Sequence, residues 1–293
     1  MAGNPAESAA RARAAAGALP PLLVAAERVA ATVMTGVHGR RRAGTGDAFW
    51  QFRPFVTGDA AARIDWRQSG KTDRLFIRER EWEAAQTVGL WRAADEGMRW
   101  SGGRDRPTKL DRAELLLLAL ASLLLRGGER LRLFGEDRAL AGRPALATLA
   151  EALPRNAAPP AEARLGRHSR AVLFGDFLQP LAETRAAVSA LAAQGVTGHL
   201  VQILDPAEET LPFTGRVRFE PLGLSGGGEP ALVPRVETVR ALYAERLAAH
   251  RDGLAAIAAA SGWRLLHHRT DHAPATALLA LWQALSPARG GRA

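Results

Sequence analysis

From residue 86 onward, short apolar runs alternate with longer helical patterns, and this alternation confines the chain to a narrow group of folds. Thr87-Val88-Gly89-Leu90-Trp91, Arg130-Leu131-Arg132-Leu133-Phe134, Ala171-Val172-Leu173-Phe174, Gly198–Leu204 and Trp263–His267 read as strands, with a further one at Arg216–Phe219. Between them the spacing predicts helices over Lys109–Leu125, Ala145–Leu153, Leu181–Gln194, Val236–Ala260 and Pro274–Leu285. Thr108 is placed to cap the first of these and Gly127-Gly128 to close it. Strands joined by helical crossovers imply an α/β fold, with a mostly parallel central sheet and helices on both faces, of Rossmann type. In such sheets ligands bind just beyond the carboxyl ends of the strands. That rule nominates Ala93–Gly97, Gly175-Asp176, Asp205 and the stretch from His267 to His272.

The first 85 residues follow another pattern. Leu22, Leu23, Ala26, Val29, Ala30 and Val33 recur at helical spacing within 8–34, so an amphipathic helix entered at Pro20-Pro21 is expected. Residues 36–80 are punctuated by Gly36, Gly39, Gly44, Gly46 and Gly58 among arginines and aromatics, with short strands expected around Asp47–Phe55 and Leu75–Arg80. A long Gly-punctuated stretch of this kind is more often functional than connective. The sequence thus divides into 1–85, an N-terminal helix plus an irregular segment, and 86–293, the α/β domain.

Composition narrows the function. The chain has 293 residues, with Lys+Arg 39 against Asp+Glu 30 and a formal charge of +9. Lys71 and Lys109 are its only lysines, and the arginines are dispersed apart from Arg40-Arg41-Arg42 and the group Arg74, Arg78, Arg80. A nucleic-acid face concentrates charge and adds stacking aromatics, whereas the single tyrosine here is Tyr243. Nucleic-acid binding through Arg40–Arg42 therefore stays a secondary alternative. The absence of cysteine excludes disulfides, thiol nucleophiles and thiolate metal sites. The longest apolar run, Leu115 to Leu125, contains Ser122 and falls short of the roughly 20 residues of a membrane span, so a buried helix is expected. Pro20-Pro21 and Glu27-Arg28 interrupt any leader pattern behind Arg11 and Arg13, which makes a cytoplasmic protein the expectation.

Catalytic motifs are missing. No serine sits in a Gly-x-Ser-x-Gly frame, and neither a phosphate-binding Gly-x-x-x-x-Gly-Lys-Ser/Thr loop nor a Gly-x-Gly-x-x-Gly turn occurs. The alternative enzyme reading is a divalent-metal site using Asp176, Asp205 and the cluster His267-His268-Arg269-Thr270-Asp271-His272. Alternation along a strand sends His267 and His268 to opposite faces, which weakens it.

The stretch Gly36-Val-His38-Gly39-Arg40-Arg41-Arg42 through Phe49-Trp50-Gln51-Phe52-Arg53, Gly58-Asp59 and Arg63-Ile64-Asp65-Trp66-Arg67 is the most specific in the chain. It resembles the signature of the domain of unknown function 58 family. Gly175-Asp176-Phe177-Leu178, Leu204-Asp205-Pro206-Ala-Glu208-Glu209, Pro212-Phe213-Thr-Gly215-Arg216 and Arg269-Thr270-Asp271 extend the resemblance over nearly the whole chain. The resemblance implies a von Willebrand A-like domain, encoded beside a MoxR-type AAA+ ATPase, in the shorter form without the membrane helices that many members carry. It implies a non-enzymatic adaptor of that ATPase, with other von Willebrand A proteins as further partners. His38, Arg40, Arg42, Phe49, Trp50, Arg53, Gly58, Asp59, Arg63, Asp65, Trp66 and Arg67 then form either a folding staple of Arg–carboxylate pairs with Trp50 and Trp66 as apolar anchors, or a docking surface.

A von Willebrand A domain binds Mg²⁺ through Asp-x-Ser-x-Ser after its first strand, plus a distant Thr and Asp. Aligned on Leu90-Trp91 and Met98, those first three positions fall on Ala93, Asp95 and Gly97, so the leading carboxylate and both hydroxyls are missing. Asp176 remains where the distant Asp is expected. The resemblance thus implies a degenerate site and no resident cofactor, with Asp95, Glu96 and Asp176 left as a weak hold for Mg²⁺.

Overall fold

Strands of an all-parallel sheet are buried on both faces, and the strands Arg170–Gly175 and Thr197–Leu204 show this along nearly their whole length. The computed structural model describes residues 21–35, 49–56, 59–61, 64–72, 74–80, 86–142, 144–156, 158–222 and 229–285. These residues form two compact units, one of 21–35 with 86–285 and the other of 49–80.

The larger unit begins with α1 (21–35). Its central elements are β3 (Thr87–Arg92), α3 (Lys109–Arg126), β4 (Arg130–Leu133), α4 (Ala145–Ala152), β5 (Arg170–Gly175), α5 (Leu181–Ala192) and β6 (Thr197–Leu204). Then come α6 (Pro206–Thr210), β7 (Val217–Phe219), β8 (Ala231–Val233), α7 (Val236–Ala260), β9 (Arg264–Arg269) and α8 (Pro274–Leu285). Strands β1 (Phe49–Pro54) and β2 (Phe76–Arg80) and helix α2 (Trp66–Ser69) belong to the smaller unit.

Five strands make the central sheet in the order β4-β3-β5-β6-β9, every pair parallel. Helix α3 is buried almost all round, from Leu116 through Leu124, because it is covered by the sheet on one side and by neighbouring helices on others. Across the sheet, Ala171, Leu173 and Leu200 share a core with Val188 and Leu191 of α5 and Leu254 and Ile257 of α7. Gly198 permits a close approach of strands, since a Cβ there would lie 2.4 Å from the Ala171 carbonyl oxygen and 2.9 Å from the Trp263 ring. Among the described residues no helix is long and apolar enough to cross a membrane.

One expectation needs correction, and one expected strand takes a place outside the central sheet. The N-terminal helix groups with the sheet unit and not with the segment 36–85. Its Ala26, Ala30 and Val33 are buried, and Glu27 accepts a 2.9 Å hydrogen bond from Ser122 Oγ and pairs with Arg126, both on α3. Residues 8–20 of the expected helix lie outside the described residues. The strand at Arg216–Phe219 exists as β7, but it pairs antiparallel with β8 in a separate ribbon. Its three residues are too short and too exposed to be a doubly covered central strand.

In the smaller unit β1 and β2 pair antiparallel around a register irregularity between Phe49 and Gln51. Ile77 is fully buried and bridges Ile64. Backbone bonds from Phe55 N to Leu75 O (2.8 Å) and Asp65 N to Phe76 O (2.9 Å) tie the connecting chain to β2, and Ser69 Oγ accepts from Phe76 N at 2.9 Å.

Candidate functional site

The strand order reverses beside β3: β4 lies on one side of it and β5 on the other. This 2-1-3-4-5 arrangement opens a crevice beyond the carboxyl ends of β3 and β5, where open α/β sheets bind ligands. Asp95 and Asp176 both reach it, for the Cβ position of Gly97 lies 2.9 Å from Asp95 Oδ1 and 3.5 Å from Asp176 Oδ2. Asp95 is exposed and caps the 3-10 turn Glu96–Arg99 through the Met98 amide (3.3 Å). Asp176 is buried, and so is Ala93, whose amide bonds the Phe174 carbonyl at 2.8 Å. Phe177, next to Asp176, takes a positive φ of 51°, a strained conformation for an aromatic residue and one that concentrates at sites.

Lys109, only 1% exposed, stands at the first position of α3 and reaches Asp176. Its ammonium donates to Asp176 Oδ2 at 2.7 Å and to Glu208 Oε1 of α6. Burial alone would lower the Lys109 pKa, but the two carboxylates outweigh it and raise it above 10.5, so the ammonium stays charged. The remaining oxygens are occupied too. Asp176 Oδ1 accepts from Leu178 N (3.3 Å), and Glu208 Oε2 from Asp205 N (2.9 Å) in a capping box that starts α6. Asp205, fully buried, accepts from Ala207 N (2.8 Å), Gly102 N (3.2 Å) and Thr270 Oγ1 (3.3 Å), with Arg106 NH1 at 3.5 Å.

The histidines at the end of the last strand and just beyond it do not converge. His267 is exposed while His268 is buried, as their alternation along β9 requires, and His272 is exposed on the following turn. Arg112 of α3 donates to the Thr270 carbonyl (2.7 Å) and the His272 carbonyl (2.6 Å), and its NH1 meets His268 Nε2 at 3.2 Å. An arginine only donates, so Nε2 is the acceptor and Nδ1 carries the imidazole proton. Burial first, then Arg112 and His272, lower the His268 pKa to about 4. Among the described residues no group of three or more His, Asp or Glu is arranged to hold a metal ion.

In the smaller unit, Asp65 accepts from Gln68 N at 2.9 Å and caps α2, and Asp59 Oδ2 accepts from Val56 N at 3.0 Å within its own turn. Both carboxylates thus have backbone partners. Trp66, expected as an anchor of a staple, is 67% exposed, and Arg67 is exposed as well. Phe49, Trp50 and Arg53 lie on β1. His38, Arg40, Arg42, Gly58 and Arg63 lie outside the described residues.

The model of the family described as "Protein of unknown function DUF58" matches residues 51–253, more than half of the chain. The chain belongs to the DUF58 family. The matched DUF58 range holds Asp59, Asp65, Lys109, Asp176, Asp205 and Glu208, and stops short of β9. Among solved structures, the chain is similar to a conserved hypothetical protein, BatB, from Bacteroides thetaiotaomicron (10% identity, 70% of this chain and 100% of that chain, TM-score 0.39). It is also similar to an uncharacterized membrane spanning protein from Vibrio fischeri (16% identity, 70% of this chain and 100% of that chain, TM-score 0.20). No protein with a curated function matches it.

Sequence reasoning missed Lys109, Arg106 and Arg112, and named Glu208 only within the Leu204–Glu209 motif. Two signals were available. Lysine is rare in a chain that uses arginine almost throughout, so Lys109 stands out. Asp205-Pro206-Ala207-Glu208 has the spacing of a capping box with proline at the first helical position, which foretells α6 and aims Glu208 back at the strand end.

Proposed function

We propose that this DUF58 protein is a cytoplasmic, non-enzymatic adaptor with a von Willebrand A-like fold, which docks on a MoxR-type AAA+ ATPase through its 36–85 segment. The observation that carries this reading is the exposed apolar group on the smaller unit: Val56 at 60%, Trp66 at 67% and Leu75 at 43%. The Phe55–Leu75 and Asp65–Phe76 backbone bonds bring these three residues to one end of the unit. A tryptophan flanked by aliphatic groups and followed by Arg67 has the composition of an interface anchor. Asp65 serves the fold as a helix cap, so the staple and the docking surface are neighbouring parts of one segment, and Trp66 belongs to the second.

The absence of catalysis is supported by the state of the carboxyl edge. Asp176, Asp205 and Glu208 are each engaged by donors of the chain itself, which ties up the three inner carboxylates as bases. The Mg²⁺ that a von Willebrand A-like fold implies does not fit these residues. Mg²⁺ needs near-octahedral oxygen donors at about 2.1 Å. Ala93 and Gly97 offer no side-chain oxygen, and an ammonium already sits on Asp176.

Co-purification with the MoxR-type ATPase from the same gene neighbourhood tests the reading. The wild type is expected to form a complex, and Trp66→Ala to lose it with an unchanged circular dichroism spectrum. Asp65→Ala is expected to cost about 1 kcal/mol, the worth of a lost N-cap, while the protein stays folded. A complex that forms equally well with Trp66→Ala would refute the proposed surface.

A further inference from the structure

We propose that Lys109 is the resident cation of the switch-point crevice, a tethered ammonium holding the place that a divalent ion holds in metal-binding domains of this kind, and that it makes the site independent of metal.

The placement is otherwise hard to explain. A lysine is seldom buried unless paired. The first turn of a helix is also the wrong end for a cation, since the helix dipole there favours negative charge. Lys109 nonetheless begins an 18-residue helix and is 1% exposed. Its position is set by carboxylates from two other strand ends: Asp176 after β5 (2.7 Å) and Glu208 after β6. One charge thus ties α3, the β5 loop and α6 together at the reversal of the sheet, as a coordinated ion would. The first-strand loop has meanwhile lost its ligands. Asp95 turns to the Met98 amide, and its carboxylate occupies space that any side chain at position 97 would need, within 2.9 Å of the Gly97 Cβ position. Each oxygen of Asp176 and of Glu208 has a donor within the chain, so a cation entering from solvent would have to break those bonds and meet the ammonium's repulsion.

The inference rests on the von Willebrand A-like part of the proposed reading and is independent of the ATPase. Its test uses the purified full chain by itself, so its failure and that of the partner reading are separate results. The wild type is expected to melt at the same temperature in EDTA, millimolar Mg²⁺ and millimolar Mn²⁺, and to give no calorimetric isotherm with Mn²⁺. Lys109→Met keeps the bulk, removes the charge, and leaves Asp176 and Glu208 facing each other. It is expected to melt about 10 °C lower, to bind Mn²⁺ saturably and to regain part of the loss when Mn²⁺ is added. If Lys109→Met does not fold, the double variant Lys109→Met/Glu208→Gln, which lacks one charge of each sign, takes its place and is expected to bind Mn²⁺ through Asp176. Three results would overturn the proposal: saturable Mg²⁺ or Mn²⁺ binding by the wild type, a melting temperature lowered by EDTA, or a folded variant without Lys109 that still binds no Mn²⁺.

Discussion

Two buried histidines are expected to cost the sheet unit stability in acid. His199 and His268 are 6% and 5% exposed. Burial, then Arg264 and Arg170, lowers the His199 pKa from 6.5 to about 4, and burial, then Arg112 and His272, lowers that of His268 likewise. Asp271, three residues further on, pulls the other way without reversing the shift. A histidine depressed in the folded state binds its proton more tightly when unfolded. Its neutral form therefore contributes full stability above pH 6.5, and the contribution is lost as pH falls toward 4. With about 1.4 kcal/mol per pKa unit, going from pH 7 to pH 5 removes about 2 kcal/mol per histidine, or about 4 kcal/mol for the pair. Urea unfolding at the two pH values measures the loss, and the double variant His199→Leu/His268→Gln isolates it from carboxylates common to both proteins. Leucine is suited to position 199 because neither His199 nitrogen has a hydrogen-bond partner, and glutamine can still accept from Arg112 at position 268. The double variant is expected to lose about 4 kcal/mol less than the wild type over this range. An equal loss in both proteins would refute the reasoning.

Two further perturbations test the packing that positions the site. Arg92 is 4% exposed on β3 and donates to Glu114 (2.9 Å), the Asn156 carbonyl (3.1 Å) and the Leu153 carbonyl (2.5 Å). Arg92→Met should cost about 3 kcal/mol in chemical denaturation, because it strands a half-buried carboxylate, and a loss under 1 kcal/mol would contradict that account. Gly198→Ala should destabilise by about 3 kcal/mol, read as a drop in melting temperature, since its methyl meets the Ala171 carbonyl at 2.4 Å. An unchanged melting temperature would show that β5 and β6 separate more easily than their packing implies.

Much of this molecule is local enough to be read from order and spacing. The apolar runs at 87–91, 171–174 and 198–204 are strands because parallel sheets bury both faces, and Thr108 does cap α3, with Asp111 completing the box. The alternation of His267 and His268 is likewise a property of any strand. The ribbon β7–β8 was less legible. Strands of three residues carry almost no periodicity, and their partner choice depends on what the rest of the sheet has already covered.

The candidate site divides along the same line. Asp95, Gly97 and Asp176 could be named in advance because each follows a strand end, and a motif locates such positions one at a time. The caps at Asp95 and Asp65 are local, each bonding an amide three residues on, whereas the exposure of Trp66 and the grouping of α1 with the sheet depended on the rest of the fold. Lys109 shows why. It lies 67 residues from Asp176 and 99 from Glu208. An ion pair over such separations has no sequence signature, because its strength comes from the burial and distance that the assembled fold creates. The chain alone determined the succession of strands and helices; the tertiary structure decided which charges meet beyond the carboxyl ends of β5 and β6, because only the assembled fold brings them within bonding distance.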